Sequence, residues 1–495
     1  MGVGLVWALL FSYLIILLSA CVLLHPRVPN SYFFVHVRLF PVSFFISTLG
    51  WCSHGNLESN GWWASDRLSW VVVSYIIFLG WIVLRFSIRF FQGDQSQRKI
   101  LALLTWTVVV ASVTWMGNDL RWIAVCWSFS LFGYVAIVMQ KREWSPVKRL
   151  SQLVIKMFAA SCLCLLVSIV ILRMSTGTWN LYDVVSGKSL SEGVLTWVNG
   201  LILVASIIPG AQWPFHRWLL ASVTVPTPVS AVMHAGLVNA GALLLTRFAP
   251  LFSGSFAQLI LLIIGSVSVL LGMGILLVHV DYKRQLVAST ITQMGVMFVQ
   301  CAMDSYGLAV LHLILHGCFK AYLFLQSGSA VQRIKPDVRM SKPSPFWTTA
   351  GIILGIGVGL GYWLMNLDES VSFLRAVLLG WTLSCVWLHL GSYRDVRWTG
   401  FVSLAVFALF SVATHNVLMK FLAIPAPQPH PFVKVYEALT VMIFVAVGLI
   451  GRWVVSLNNV LSDKLYVKIV HLGEPDSPFT ENHPRHLLNY IDKRG

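Results

Sequence analysis

Residues 205–248 read A-S-I-I-P-G-A-Q-W-P-F-H-R-W-L-L-A-S-V-T-V-P-T-P-V-S-A-V-M-H-A-G-L-V-N-A-G-A-L-L-L-T-R-F, and their reading decides the fold. An apolar run stops at Pro209-Gly210, a short piece with Gln212, Pro214, His216 and Arg217 follows, and Pro226 and Pro228 open a second apolar run holding His234 and Asn239. Proline has no N–H to donate and fixes φ. Hydrocarbon offers no partner to the carbonyl thereby freed, so such an interruption survives only where protein or water lines it. The expectation is a helix broken at 205–224 inside a membrane, beside a hydrated pathway.

The rest of the chain supports a membrane setting. It is 57% hydrophobic and 11% charged, with 21 tryptophans and a mean hydropathy of +0.76, more apolar surface than one soluble core absorbs. Apolar runs recur from residue 3 to residue 456, and about fifteen are long enough to cross a ~30 Å hydrocarbon layer. The fold class expected is all-α, a polytopic bundle over residues 1–456 with a polar tail, 457–495. The first run, Val3 to Leu24, lacks a basic n-region and a small-residue cleavage site, so it is expected to be retained as a span.

A formal charge of +16 does not point to nucleic acid, because the basic residues fall in short loops between apolar runs. Arg89, Arg98 and Lys99, then Lys141, Arg142, Lys148 and Arg149, then Lys283 and Arg284, then Arg333 to Lys342, then Arg394 and Arg397 occupy alternate loops. That asymmetry predicts an N-terminus outside and a C-terminus in the cytoplasm of a cell (inner) membrane protein. The eight cysteines show no paired metal spacing. No P-loop, nucleophile elbow or dinucleotide fingerprint occurs, so the chain is not expected to be an enzyme by itself.

Ionisable residues within apolar runs are functional candidates, because charge at membrane depth costs at least a few kcal/mol unless hydrated, paired or neutralised. In 306–327 His312, His316 and Lys320 recur at i, i+4 and i+8, on one face of a helix. Packing histidines and a proton or ion path are both readings of that face. A zinc site is a third, but no glutamate intervenes in the H-x-x-x-H and no further ligand is evident. Lys156, near one end of the run at 151–173, is either a snorkelling side chain or part of a path. The tail is either a solvated extension or a docking arm for a cytoplasmic partner.

Four motifs carry a resemblance: A-Q-W-P-F-H-R-W-L (211–219), P-T-P-V-S-A-V-M-H-A-G (226–236), D-Y-K-R-Q-L-V-A-S-T-I-T-Q-M-G (281–295) and H-L-I-L-H-G-C-F-K-A-Y-L-F-L (312–325). In this order they resemble the antiporter-like membrane subunits of respiratory complex I and of Mrp-type cation/proton antiporters, over roughly residues 60–330. H-A-G-L-V-N-A-G-A-L-L-L-T-R-F (234–248) and Q-G-D-Q-S-Q-R (92–98) are most similar to the membrane subunits of DAB-type inorganic carbon transporters. The resemblance implies a large cytoplasmic partner of the DabA type, carbonic-anhydrase-like and zinc-dependent, with no cofactor in this chain. It also implies an ion path with Lys320 as proton carrier, His316, His312 and His234 as relays, and Gln212, His216 and Asn239 holding water or orienting neighbours.

The resemblance departs from the family in three places. The family's glutamate after a tryptophan is here Ser128, after Trp127; its broken-helix lysine corresponds by motif to Pro209; and its later lysine has no counterpart in 346–372. An opposite charge tunes a lysine, so losing this pair removes a modulating switch and leaves a central path of His234, His312, His316 and Lys320. Two other readings stay open: a subunit of a quinone-linked dehydrogenase or Na+/H+ antiporter, and a membrane anchor that moves no ion.

Overall fold

Asp66, Asp119 and Asp281 each stand just before an apolar run, and each accepts hydrogen bonds from backbone N–H groups of the helix that follows. Such caps satisfy donors that have no intrahelical partner and fix where a span begins. Pro146 does the equivalent for the next helix by occupying its first turn, and Gly177, at φ +78°, ends it in a left-handed cap.

The computed structural model describes residues 2–53, 58–141, 144–186, 190–329, 345–365, 372–391, 432–456 and 460–474, with 402, 406, 417 and 418. The helices are α1 (Gly2–Leu23), α2 (Tyr32–Val37), α3 (Phe40–Ser53), α4 (Arg67–Phe90), α5 (Gln97–Met116), α6 (Leu120–Val138), α7 (Ser145–Thr176), α8 (Leu181–Ser186) and α9 (Glu192–Ile207). They continue with α10 (Arg217–Ala221), α11 (Thr227–Ala235), α12 (Ala240–Arg247), α13 (Ala249–Phe252), α14 (Phe256–Val278), α15 (Tyr282–Ala302) and α16 (Tyr306–Gln326). After these come α17 (Pro345–Met365), α18 (Ser372–Gly391), α19 (Val433–Ser456) and α20 (Val460–Leu472). The all-α class holds, with one addition: the polar loop after α3 carries an antiparallel hairpin, Glu58–Asn60 with Trp63–Ser65.

Among the described residues, eleven helical segments are long and apolar enough to cross a membrane, against about fifteen expected. The difference has physical causes. α9 stops after 16 residues at the proline break. α15 is 21 residues long but carries Ser289, Thr290, Thr292, Gln293 and Gln300. The run at 398–422 lies almost wholly outside the described residues.

Neighbouring helices pack as antiparallel pairs through short loops. At one end of the bundle, Arg98 donates to the carbonyls of Leu23 (3.3 Å), His25 (3.2 Å) and Val28 (2.6 Å), tying α1 to the start of α5. Lys141 pairs with Asp94 (2.5 Å) at that same end. At the other end, Arg247 closes α12 onto the Asp66 cap of α4 and the Trp115 carbonyl of α5. Of the tail, α20 lies against α14, with Ile469 over Gly274; residues 475–495, the rest of the expected docking arm, lie outside the described residues.

Candidate functional site

The break falls where the prolines put it. Beyond Ile207 the chain unwinds, with Ala211 at φ +50°, and re-forms as α10 only at Arg217. Several of the freed groups find a protein partner. Ser161 donates to the Ala205 carbonyl (2.7 Å), the Trp218 indole to that of Ile208 (2.9 Å) and Gln212 Nε2 to that of Gly210 (2.8 Å). The Trp213 N–H donates to Ser268 Oγ (2.9 Å), at the middle of α14 and so near the middle of the bundle. Gln212 and His216 are both buried in this segment. Side chains thus supply several of the hydrogen bonds that line the break.

A second interruption was not expected, since no proline marks it. α11 ends at Ala235, a short 3-10 turn spans Leu237–Asn239, and α12 resumes at Ala240. The Ala235 carbonyl, released from the helical ladder, accepts from the Tyr75 hydroxyl (2.6 Å) and from Asn239 Nδ2 (2.5 Å). Tyr75 comes from α4, and it reaches this carbonyl because α16 offers Gly317 at the crossing: a Cβ there would collide with the hydroxyl. Beside the turn is a cavity of about 60 Å³, lined in part by Tyr75, Thr107, Trp127, Tyr134 and Asn239. That is room for one or two waters, and the Trp127 indole N–H in its wall has no protein partner.

α15 and α16 form the polar seam that the i, i+4, i+8 spacing anticipated. Lys320 is 2% exposed, and its Nζ donates to the Leu286 carbonyl (2.7 Å) and to Ser289 Oγ, both in the first turns of α15. Among the described residues no carboxylate pairs with it. An ammonium has three protons, and two acceptors are in place. Higher on the seam His312 sits between two glutamines, Nε2 at 2.8 Å from Gln293 and Nδ1 at 3.4 Å from Gln300. His316 lies between His312 and Lys320, its ring 5.9 Å from that of His312, and its buried Nε2 has no partner among the described residues. His234 of α11 stacks on Phe324 of α16 at 4.3 Å, one turn from Lys320, and neither of its ring nitrogens has a partner among the described residues.

The structure thus gathers His234, His312, His316 and Lys320 along α16, and places Asn239 at the second break and Gln212 and His216 in the first. Lys156 is not among them: it is exposed on α7, which packs mainly on α6 and α9 and touches α10. Sequence reasoning passed over Tyr75, Ser289, Gln293 and Gln300. The last three had a signal, since positions 289, 293 and 300 share one helical face in an otherwise apolar run. Among the described residues no three histidine, cysteine or acidic side chains group so as to hold a metal ion.

Comparison with known proteins bears on the family and the fold. Residues 117–354 match the NADH:quinone oxidoreductase/Mrp antiporter transmembrane family. The chain is 40% identical over 491 residues to the probable inorganic carbon transporter subunit DabB of Bacillus anthracis, covering 97% of this chain and 95% of that protein. Its counterpart in Bacillus subtilis (strain 168) is 40% identical over 485 residues, covering 96% and 95%. Among solved structures, the Mrp complex from Dietzia sp. DQ12-45-1b superposes with a TM-score of 0.62 at 18% identity, covering 98% of this chain and 62% of that one, a likeness of fold.

Proposed function

Because the chain belongs to the DabB family of inorganic carbon transporter subunits, within the complex I and Mrp antiporter superfamily, we propose that it conducts cations, protons first, along the α15–α16 seam. One observation carries the reading: a lysine amine buried within an apolar helix with a carbonyl, a hydroxyl and, among the described residues, no carboxylate for company. Lysine in such a place is retained against a cost of at least a few kcal/mol, and it suits a group that takes up and releases its third proton. His316 and His312 continue the line, imidazole being the side chain that exchanges protons near neutral pH. His234 would join them from the α11 side, and Gln212, His216 and Asn239 would hold the two helix breaks in shape. The cavity beside Tyr75 supplies room for water where direct contacts are missing.

In this proposal the chain works with a cytoplasmic DabA-type partner that carries the zinc and the carbonic-anhydrase-like chemistry. Inward cation flow shifts the partner between two states and makes its hydration of CO₂ vectorial, a coupling of two sites through one change of state. The basic end of the bundle, where Arg98, Lys141 and Lys283 lie, then faces the cytoplasm of the inner membrane, with the N-terminus outside.

The test is Lys320→Ala in the complete complex: carbon-dependent growth and uptake should be lost while the complex still assembles. Normal uptake would remove the lysine from the mechanism. A second reading, a membrane anchor that moves no ion, is favoured by Ser128 and Pro209 standing where the family carries charges. Proteoliposomes without proton or sodium flux, partner present, would establish the anchor instead.

A further inference from the structure

At the basic end of the bundle a groove of about 750 Å³ is open to the surroundings, walled by Arg38, Arg85, Arg89, Phe34, Trp81 and Phe90. Arg38 caps the C-terminus of α2, and Arg85 and Arg89 stand one turn apart on the closing turns of α4. All three are exposed, and among the described residues no carboxylate pairs with any of them. Two other cations at this end are engaged: Arg98 with backbone carbonyls and Lys141 with Asp94. Three guanidinium groups converging on one groove without a counter-charge leave a concentrated positive field at the membrane boundary.

The walls say what kind of anion fits. Phe34 and Phe90 are 47% and 45% exposed, and Trp81 lies a further turn into α4 from Arg85, roughly 6 Å deeper along the helix. The groove therefore runs from the polar boundary, where arginine side chains snorkel, into the depth of the acyl chains. We propose that it binds an anionic phospholipid of that leaflet, the phosphate held by Arg38, Arg85 and Arg89 and an acyl chain laid along Phe34 and Trp81. Guanidinium matches phosphate through paired N–H donors, and basic pockets between spans are suited to acidic headgroups. An acidic protein segment would satisfy the arginines but leave the apolar wall against lipid, and free phosphate would leave it unused.

The full-length protein, purified in mild detergent and stripped of lipid, is offered phosphatidylglycerol or phosphatidylcholine in mixed micelles, and retained lipid is counted by native mass spectrometry. Phosphatidylglycerol should be retained preferentially. Arg85→Gln alone should cut that preference about fivefold, and Arg38→Gln with Arg85→Gln and Arg89→Gln about a hundredfold, from the ~1 kcal/mol that each surface cation contributes. Equal retention of the two lipids by the native protein overturns the proposal without reference to any variant. So does an undiminished preference in the folded Arg85→Gln protein, displacement of the lipid by inorganic phosphate alone, or its displacement by an acidic protein partner.

Discussion

The α15–α16 seam and the α6–α9 region stand in contrast. Both correspond to places where antiporter-like relatives keep buried charge, and here they have been treated in opposite ways. The seam keeps a lysine and two histidines and surrounds them with Ser289, Gln293, Gln300 and a carbonyl. In the other region Ser128 folds its hydroxyl back onto the Ala124 carbonyl (2.8 Å), and Pro209 is buried at a break sealed by protein donors. A buried charge needs a fitted polar lining, whereas a hydroxyl or a ring needs only space. Among the described residues the chain keeps the costly arrangement at the seam and does without it in the α6–α9 region.

Breaking the α4–α16 crossing beside the seam should give the largest effect. Gly317→Ala sets a methyl group against the Tyr75 hydroxyl and should cost about 2–3 kcal/mol, read as a lower melting temperature and less complex in the membrane. Tyr75→Phe alone removes one hydrogen bond to the Ala235 carbonyl and should cost about 1 kcal/mol. The double variant should be more stable than the sum of the two predicts, because the second change deletes the atom the first collides with. Additive costs would mean that α4 and α16 do not meet there.

Much of this architecture could be read from the chain and some could not, for reasons that lie in particular residues. Prolines and apolar run length are local signals, so the break after Ile207 and most spans were legible. The i, i+4, i+8 spacing likewise set His312, His316 and Lys320 on one face before any partner was known. The break at 235–239 was hidden because it is made by tertiary contact: a carbonyl leaves the helix to meet Tyr75, 160 residues away in the chain. Lys156 shows the converse, an apolar run with one cation whose exposed face no sequence period reveals. α15 was counted as a span like the others, yet its polar face is what the seam is built from.

A sharper comparison comes from the two glutamines that hold His312. Gln293→Leu removes the close partner at 2.8 Å and should lower uptake about tenfold with protein levels unchanged, the equivalent of ~1.4 kcal/mol in orienting the ring. Gln300→Leu removes a contact of 3.4 Å and should do less. Equal losses from both, or none from either, would place His312 outside the path.

The scale is set by an ordinary surface pair. Lys141 hydrogen-bonds Asp94 and, with the Ser96 donors, holds that carboxyl down from 3.8 to about 2. A depressed carboxyl contributes stability above its unfolded value and loses it as pH falls through the folded one, so the window runs from about pH 4 down to about pH 2. With both side chains partly exposed, Asp94→Asn should cost at most about 1 kcal/mol at neutral pH. The melting difference between the two proteins should close as pH falls to about 2. A cost as large as that of Gly317→Ala would mean that the loop, and not the α4–α16 crossing, governs folding.

The smallest effect belongs to the position that carries a charge in relatives. Ser128 is half-buried on α6, and its hydroxyl is already spent on the preceding turn, a bond that a helix does not need. Ser128→Ala should therefore change stability by less than about 0.5 kcal/mol and leave uptake at the native level. Trp127, the preceding residue, faces the cavity beside Tyr75, whereas Ser128 does not line it. A fall in uptake in Ser128→Ala, with melting unchanged, would show that α6 still passes ions through its hydroxyl. The α6–α9 region would then be a second conducting half working without charge, and the contrast with the seam would be one of chemistry rather than of function.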